Sequence, residues 1–274
     1  MSAPFPRFCG VIMLILTIAD YLIEFLTFLF GLCVGSFMNV CIFRLPNSQS
    51  IVHPRSMCPA CGNMIKFYDN IPVLSFLWLK RKCRYCNAPI SFRYPLVEIM
   101  GGFFAVCVYL KFGITLEGLI YYFFIVALLV ITFIDIDHQI IPDRITLPGI
   151  PLFFLASFAV SAIGYKDSIL GFLVGGGSLF AVAWAYHLLT KREGMGGGDI
   201  KLLAMIGTLV GWQGVLFTIF VASAVGTFAG VLSMIGQAKG SKLAVPFGPF
   251  LSIGAITYIF FGPELIIWYL NLFR

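Results

Sequence analysis

Charged residues are scarce in this sequence, 11% of 274, and only 12 of them are acids. Soluble globular domains carry about 25% charge, so an ordinary soluble protein is excluded. Histidine is rarer still, at three. His138 and His187 stand apart from any thiol cluster, which points to ordinary polar roles rather than metal binding. The sequence also lacks a nucleotide P-loop, an H-E-x-x-H helix and a G-x-S-x-G elbow. Nucleotide phosphate binding, zinc-protease chemistry and serine-hydrolase chemistry lose their usual signatures with them.

What fills the chain is apolar: 60% of residues, with a mean hydropathy of +0.98. A helix needs about 20 apolar residues to cross some 30 Å of hydrocarbon. Eight stretches approach or exceed that length, at 16–43, 95–112, 115–134, 145–164, 169–189, 201–212, 214–236 and 248–272. Asp20 and Glu24 mark the outer limit of the first. That stretch could be a cleaved signal peptide, but it runs into Gly35-Ser36-Phe37-Met38-Asn39 without an A-x-A-like site and is retained as a span. Met1 to Gly10 is atypical, and Met13 is an alternative start.

Lys and Arg collect on the cytoplasmic side of membrane proteins. With residues 44–94 inside, that side holds eight of them, joined by Arg144, Lys191, Arg192, Lys201, Lys239 and Lys242. The other side keeps Arg7, Lys111, Lys166 and Arg274, which places both termini outside. The net charge of +6 is then a basic face beside anionic lipid. No segment resembles a nucleic-acid module, and no nucleic-acid partner is expected.

Residues 44–94 form the one long polar region. A segment so small buries too little apolar surface to hold itself together without a metal or disulfides. It carries Cys58-Pro59-Ala60-Cys61 and Cys83-Arg84-Tyr85-Cys86, two C-x-x-C pairs twenty-one residues apart, close to the spacing of a four-thiolate zinc site. Two disulfides are the alternative, but cytoplasmic thiols stay reduced. Cys9, Cys33, Cys41 and Cys107 lie singly in apolar surroundings as small packing residues. The expected fold is an all-α polytopic membrane protein of about eight transmembrane helices, with a small zinc-stapled cytoplasmic domain between the first and second. Residues 1–43 give the N-terminal segment and first span, 44–94 the zinc domain, and 95–274 seven further helices. No internal repeat is evident, and Gly175-Gly176-Gly177 suits close helix packing.

Two acids stand at the mouths of apolar stretches: Asp135, in Ile134-Asp135-Ile136-Asp137, and Asp199, after Gly194-Met195-Gly196-Gly197-Gly198. A carboxylate within a span costs roughly 2.5 to 3.5 kcal/mol on insertion scales, so such an acid reads as functional unless a partner explains it. The topology brings both to the cytoplasmic boundary. Paired aspartates can hydrolyse a peptide bond: one, ionised, takes a proton from water while the other, protonated, polarises the carbonyl. Gly194, Gly196, Gly197 and Gly198 would let an extended substrate strand approach. A plain turn in which Asp199 caps the next helix is the other reading. Asp137 and Asp143 share the loop of Asp135, and periodicity does not choose among the three. Asp143, between Pro142 and Arg144, suits a helix cap or a local ion pair, and Asp137 could orient the site or bind a substrate amino terminus.

Together these motifs resemble the bacterial type IV prepilin peptidases, membrane aspartic proteases of the glycine-x-glycine-aspartate class. The resemblance runs from about Leu26 onward. It rests on Val34 to Val40 with Arg44-Leu45-Pro46, the two C-x-x-C pairs, Asn70-Ile71-Pro72, Arg93-Tyr94-Pro95-Leu96-Val97-Glu98, Ile134 to Asp137 with Pro142-Asp143, Gly194 to Ala204, and Pro246-Phe247-Gly248-Pro249. It implies that Asp135 and Asp199 are the catalytic pair, supported by Asp137, Asp143, Gly196, Gly198 and Lys201. It implies cleavage of the leader of prepilins or pseudopilins after a glycine, at the cytoplasmic face of the bacterial inner membrane. It further implies N-methylation of the new terminus, usually phenylalanine, with S-adenosylmethionine as donor, in the part that would hold Zn²⁺ on Cys58, Cys61, Cys83 and Cys86. Many relatives carry glycine shortly before the third cysteine, where this chain has Leu79-Lys80-Arg81-Lys82. Glu98, Asp69 and Asn70 are polar candidates near that domain. A peptidase with purely structural zinc is the second reading, and an ion or metal transporter a remote third, since its acids would lie nearer mid-membrane.

Overall fold

The computed structural model describes the backbone of residues 5–191, 196–235 and 246–272, and the side chains of 18–191, 196–232 and 246–272. Gly194 and Met195 of the glycine run, and Arg192, Lys239, Lys242 and Arg274 of the charge count, lie outside the described residues. So do the side chains of Arg7 and Cys9.

Among the described residues the chain is helical, with two isolated β-bridges and no strand. The elements are α1 (Phe5–Arg44), a 3₁₀ turn (Phe67–Asn70), α2 (Leu74–Trp78), α3 (Arg93–Phe112), α4 (Leu116–His138), α5 (Asp143–Ser157), α6 (Tyr165–Thr190), α7 (Gly197–Ile235) and α8 (Gly248–Asn271). Among the described residues six segments are long and apolar enough to cross a membrane: Ile18–Arg44, Arg93–Phe112, Leu116–His138, Tyr165–Thr190, Gly197–Leu232 and Gly248–Asn271. This is a multi-pass membrane protein.

All eight expected segments are helical, but two are short. α7 runs through the sixth and seventh with one non-helical residue, Gly211 (φ 70°, ψ 177°). That backbone region is essentially open to glycine alone, so Gly211 divides the helix beside the expected boundary. The half before it spans only about 21 Å at 1.5 Å per residue. It tolerates this because protein encloses it: Leu202, Leu203, Met205, Ile206 and Leu209 are fully buried. The 15-residue α5 ends at Ser157, short of the expected 164, after two internal prolines, Pro148 and Pro151.

By its internal contacts the chain divides into two compact units. The first comprises Met1–Val40 and Val52–Ile114. Here α1 meets α3 backbone to backbone. A Cβ placed on Gly31 would lie 2.6 Å from the Gly101 carbonyl oxygen, and one on Gly35 would lie 2.6 Å from the Glu98 Cα. Gly31 and Gly35 form a G-x-x-x-G seam, the pattern that lets membrane helices approach closely.

The second unit comprises Cys41–Ile51 and Thr115–Arg274. Its core is the buried stripe of α4 (Phe124, Ile125, Leu128, Ile131, Ile134) with the first half of α7 and with Leu251 and Ala255 of α8. α6 lies on α7 with Gly171 and Gly175 against the backbone of Gly207 and Leu203. Of the glycines expected to pack, Gly175 is tightly enclosed, a Cβ placed on Gly176 would lie 3.2 Å from the Ala204 methyl, and one on Gly177 would meet open space.

Candidate active site

Asp135 continues the buried stripe of α4. Residues 124, 128, 131 and 135 fall at helical spacing on one face, and Asp135 is 5% exposed. A buried carboxylate needs donors, and this one finds a backbone amide: Gly248 N–H donates to Asp135 Oδ2 at 2.9 Å. The start of α8 is built to offer that single group. Phe250 and Leu251 give their amides to the Phe247 carbonyl, and Pro249 has none, which leaves Gly248 free to turn inward. A Cβ placed on Gly248 would lie 2.7 Å from Asp135 Oδ2 and 3.4 Å from the Cδ1 of Ile141. The glycine in this Pro-Phe-Gly-Pro turn therefore sits where any side chain would press on the carboxylate.

Asp199 lies in the first turn of α7, its amide donating to the Gly196 carbonyl at 3.2 Å. It is half-buried, beside the fully buried Leu202 and Leu203, and at the helix end whose dipole favours an acid. Ile141, in the connection after α4, is the wedge between the parts. It touches the Gly248 position on one side, and on the other its Cβ lies 2.8 Å from where a Gly198 Cβ would be. Asp199 is near enough to Asp135 to interact with its charge. The ends of α4, α7 and α8 thus bring Asp135, Asp199, Gly198 and Gly248 together around Ile141.

The other acids of the loop lie apart. Asp137 is exposed at the end of α4. Asp143, in the first turn of α5, makes no side-chain cap; both its oxygens accept from Lys201 Nζ, at 2.7 and 2.8 Å. Its partner is thus 58 residues away, not the neighbouring Arg144. Both side chains are substantially exposed, 37% for Lys201 and 53% for Asp143, and such pairs contribute roughly 0–1 kcal/mol. Its effect is positional: it ties the first turn of α7 to the first turn of α5.

In the other unit the two C-x-x-C pairs adopt the same turn. Cys58 N–H donates to the Asn63 carbonyl at 2.9 Å and Gly62 N–H to Cys58 at 2.8 Å; Cys83 and Asn87 repeat the pattern at 2.8 and 3.0 Å. Gly62 and Asn87 both take positive φ, 70° and 58°. This short structural duplication is what sequence inspection missed; its trace is a glycine and an asparagine, the residues most at ease there, each directly after a second cysteine. All four cysteines are free thiols, which excludes the disulfide alternative. Their sulfurs lie within 4.8 Å of one another, with Cys58 and Cys86 at 3.9 Å. Four sulfurs about 2.3 Å from one tetrahedral zinc stand about 3.8 Å apart, so the residues fit the ion. The amides of Cys86 and then Tyr85 bring the Cys83 thiol down to about 7. Cys86, although the Ala88 amide pulls it down, is pushed up to about 11 by desolvation and the neighbouring sulfurs. Sulfurs crowded in this way ionise together only around a cation.

The remaining candidates of this unit are structural in their contacts. Asp69 is bidentate to Arg84, at 2.6 and 2.8 Å, and the guanidinium holds its carboxyl below the usual range. Buried Glu98 accepts the Val73 amide at 2.8 Å, steadying a tight turn in which Val73 has φ 60°. Asn70 is exposed. In the turn before Cys83, Lys80 and Arg81 take φ 50° and 64°, a backbone that glycine adopts more readily.

The sequence model of the bacterial peptidase A24 N-terminal domain matches residues 29–112, and that of the type IV leader peptidase family matches 122–231. A protein of Aeromonas hydrophila described as a prepilin leader peptidase/N-methyltransferase is 36% identical over 90% of this chain and 94% of its own length. One of Pseudomonas aeruginosa with the same description is 36% identical over 89% and 92%. One of Myxococcus xanthus is 41% identical over 77% of this chain and 63% of itself. No solved structure matches the chain.

Proposed function

The chain belongs to the type IV leader peptidase family, and from that premise we propose that Asp135 and Asp199 are the pair that cuts the leader. The enzyme is a prepilin leader peptidase that also N-methylates its product. The observation that carries the assignment is the convergence of the two acids around Ile141 and the Gly248 amide, with Asp137 and Asp143 turned outward.

With one proton shared between the acids, the ionised member accepts a proton from water, whose oxygen attacks the scissile carbonyl carbon. The protonated member gives its proton to the carbonyl oxygen, forming a tetrahedral diol. The roles then reverse: one carboxylate takes a diol proton, the other protonates the leaving amine, and the C–N bond breaks. Gly248 holds Asp135 in place through these transfers, and the small residues Gly196 and Gly198 leave room for the substrate strand. Lys201 and Asp143 fix the helix start that carries Asp199.

Fourteen of the 18 Lys and Arg support a site facing the cytoplasm of the inner membrane. The substrate class is then prepilins or secretion pseudopilins, cut after glycine. We assign methylation to residues 44–94, with S-adenosylmethionine supplying the methyl group and Zn²⁺ held by Cys58, Cys61, Cys83 and Cys86.

The test is incubation of the purified enzyme with a prepilin and S-adenosylmethionine, followed by mass analysis. Loss of the leader together with a single methyl increment is expected; leader loss alone would leave a peptidase whose zinc is structural. A second expectation concerns Gly248→Ala, whose methyl would displace the Asp135 carboxylate. Misplacing a reacting group by an ångström can cost about 10²-fold, so kcat should fall by that order while KM stays nearly constant. Full activity in this variant would remove Gly248 from the site.

A further inference from the structure

One apolar face of the first compact unit belongs to none of its spans. The short helix α2 carries Leu74, Leu77 and Trp78 at positions i, i+3 and i+4, so they share one side of it. That side is bare: Leu74 is 60% exposed, Leu77 65% and Trp78 78%. Phe76, on the opposite side, is buried and sets its ring edge-on to Phe92, with 6.1 Å between centroids. A helix of five residues cannot cross a membrane, so this exposure is not that of a lipid-facing span.

Two features place that face at the boundary between hydrocarbon and water. Val73, which precedes α2, gives its amide to Glu98 Oε2 at 2.8 Å. Glu98 is the sixth residue of α3, a span that opens with Arg93, and five residues of helix advance about 7.5 Å. The start of α2 is thereby fastened to the side of a membrane helix, inside its polar end. Just beyond the other end of α2 come Lys80, Arg81 and Lys82, all exposed. The Arg81 guanidinium lies over the Phe76 ring, 5.8 Å from its centroid, which holds the basic turn against α2. Leucine and tryptophan followed at once by cations make up segments that lie in the membrane interface, the indole at headgroup level and the charges among anionic lipids. At this depth a protein partner would have to displace lipid to reach the same face.

We propose that α2 is an interfacial anchor: Leu74, Leu77 and Trp78 enter the headgroup and upper acyl region of the bilayer, while Lys80 and Lys82 pair with anionic lipid phosphates. Cys83 follows Lys82 directly, so the anchor also holds the cysteine cluster at the membrane surface. That the leaflet is the cytoplasmic one rests on the charge bias used above; insertion itself does not, and its test involves neither cleavage nor methylation.

The experiment uses the full chain in lipid nanodiscs with Trp184, Trp212 and Trp268 changed to Phe, which leaves Trp78 as the one indole. In discs containing phosphatidylglycerol, lipid brominated high on its acyl chains should quench Trp78 by about half, and about twofold more than lipid brominated near the chain ends. Lys80→Glu/Lys82→Glu should cut that quenching about threefold, and so should discs of phosphatidylcholine alone. Hydrogen exchange on the wild-type chain carries the test if the tryptophan variant does not fold. There the amides of residues 74–82 should exchange about tenfold more slowly in the anionic discs than in the neutral ones, a difference that Lys80→Glu/Lys82→Glu should erase. An indole that emits as in water and is quenched by neither lipid overturns the proposal, as does quenching indifferent to both lysines. A shielded emission that lipid bromine does not reach, or that appears only when a prepilin is added, would make the face a protein-docking surface and overturn it too.

Discussion

Asp135→Asn and Asp199→Asn should each lower the rate of leader cleavage by about 10⁴-fold, the upper range for a group that serves as both acid and base. Asparagine keeps the shape of the side chain. At position 135 its carbonyl can still accept the Gly248 amide, so α4 and α8 should pack as before and the loss should report chemistry. What disappears is the shared proton, because an amide can neither take one from water nor give one to the carbonyl. The exposed Asp137 provides the contrast: Asp137→Asn should cost less than tenfold on the same scale. The readout is single-turnover cleavage of a prepilin by variants that retain the wild-type melting temperature and metal content. Near-normal cleavage by either dyad variant would sink the assignment.

Removing the metal should have the second largest effect, and a selective one. Between residues 52 and 92 the buried apolar residues are Cys58 and Phe76, too little core to hold a folded module. Structural zinc in small domains supplies about 10–16 kcal/mol of binding free energy, which here is nearly all of the module's folding free energy. Cys86→Ser, or prolonged treatment with a strong chelator, should therefore take bound zinc from one per chain to none and abolish methylation. Cleavage should persist at roughly the wild-type rate, because Asp135 and Asp199 belong to the other compact unit. Product that has lost its leader but gained no methyl is the expected mass. A metal-stripped protein that still methylates would show that the sulfurs hold nothing the reaction needs.

Local signals made most of the architecture readable. Apolar run length gave the helices, and a C-x-x-C pair is legible because its geometry closes within six residues. The break in α7 was partly visible, since the sixth and seventh apolar stretches were divided at residue 213, two positions from Gly211. Distant partners were another matter. Pro246-Phe247-Gly248-Pro249 was recognisable as a motif, but nothing along the chain says that its amide reaches a carboxylate 113 residues earlier. The Asp143 side chain was read against its neighbour Arg144, whereas Lys201 reaches it once α5 and α7 meet. Burial separates Asp135 from Asp137, because only the first continues the stripe of Leu128 and Ile131. Two residues along a helix turn a side chain to nearly the opposite side, a distinction that composition near a span end does not carry.

The glycine seam of α1 and α3 has a consequence for how the zinc module comes to fold. With Gly31 and Gly35 pressed on Gly101 and Glu98, the two helices are clamped together before and after the polar insertion, and the ends of that insertion are held near each other. A free chain of some fifty residues loses about 3 kcal/mol of entropy when its ends are brought together. The membrane hairpin has already met that cost before any metal arrives. The same fifty residues made as a separate peptide would have to meet it on binding, and would hold zinc about a hundredfold more weakly for that reason alone. Assembly thus runs from the bilayer outward: the lipid-embedded helices close the loop, and the ion then sets its shape.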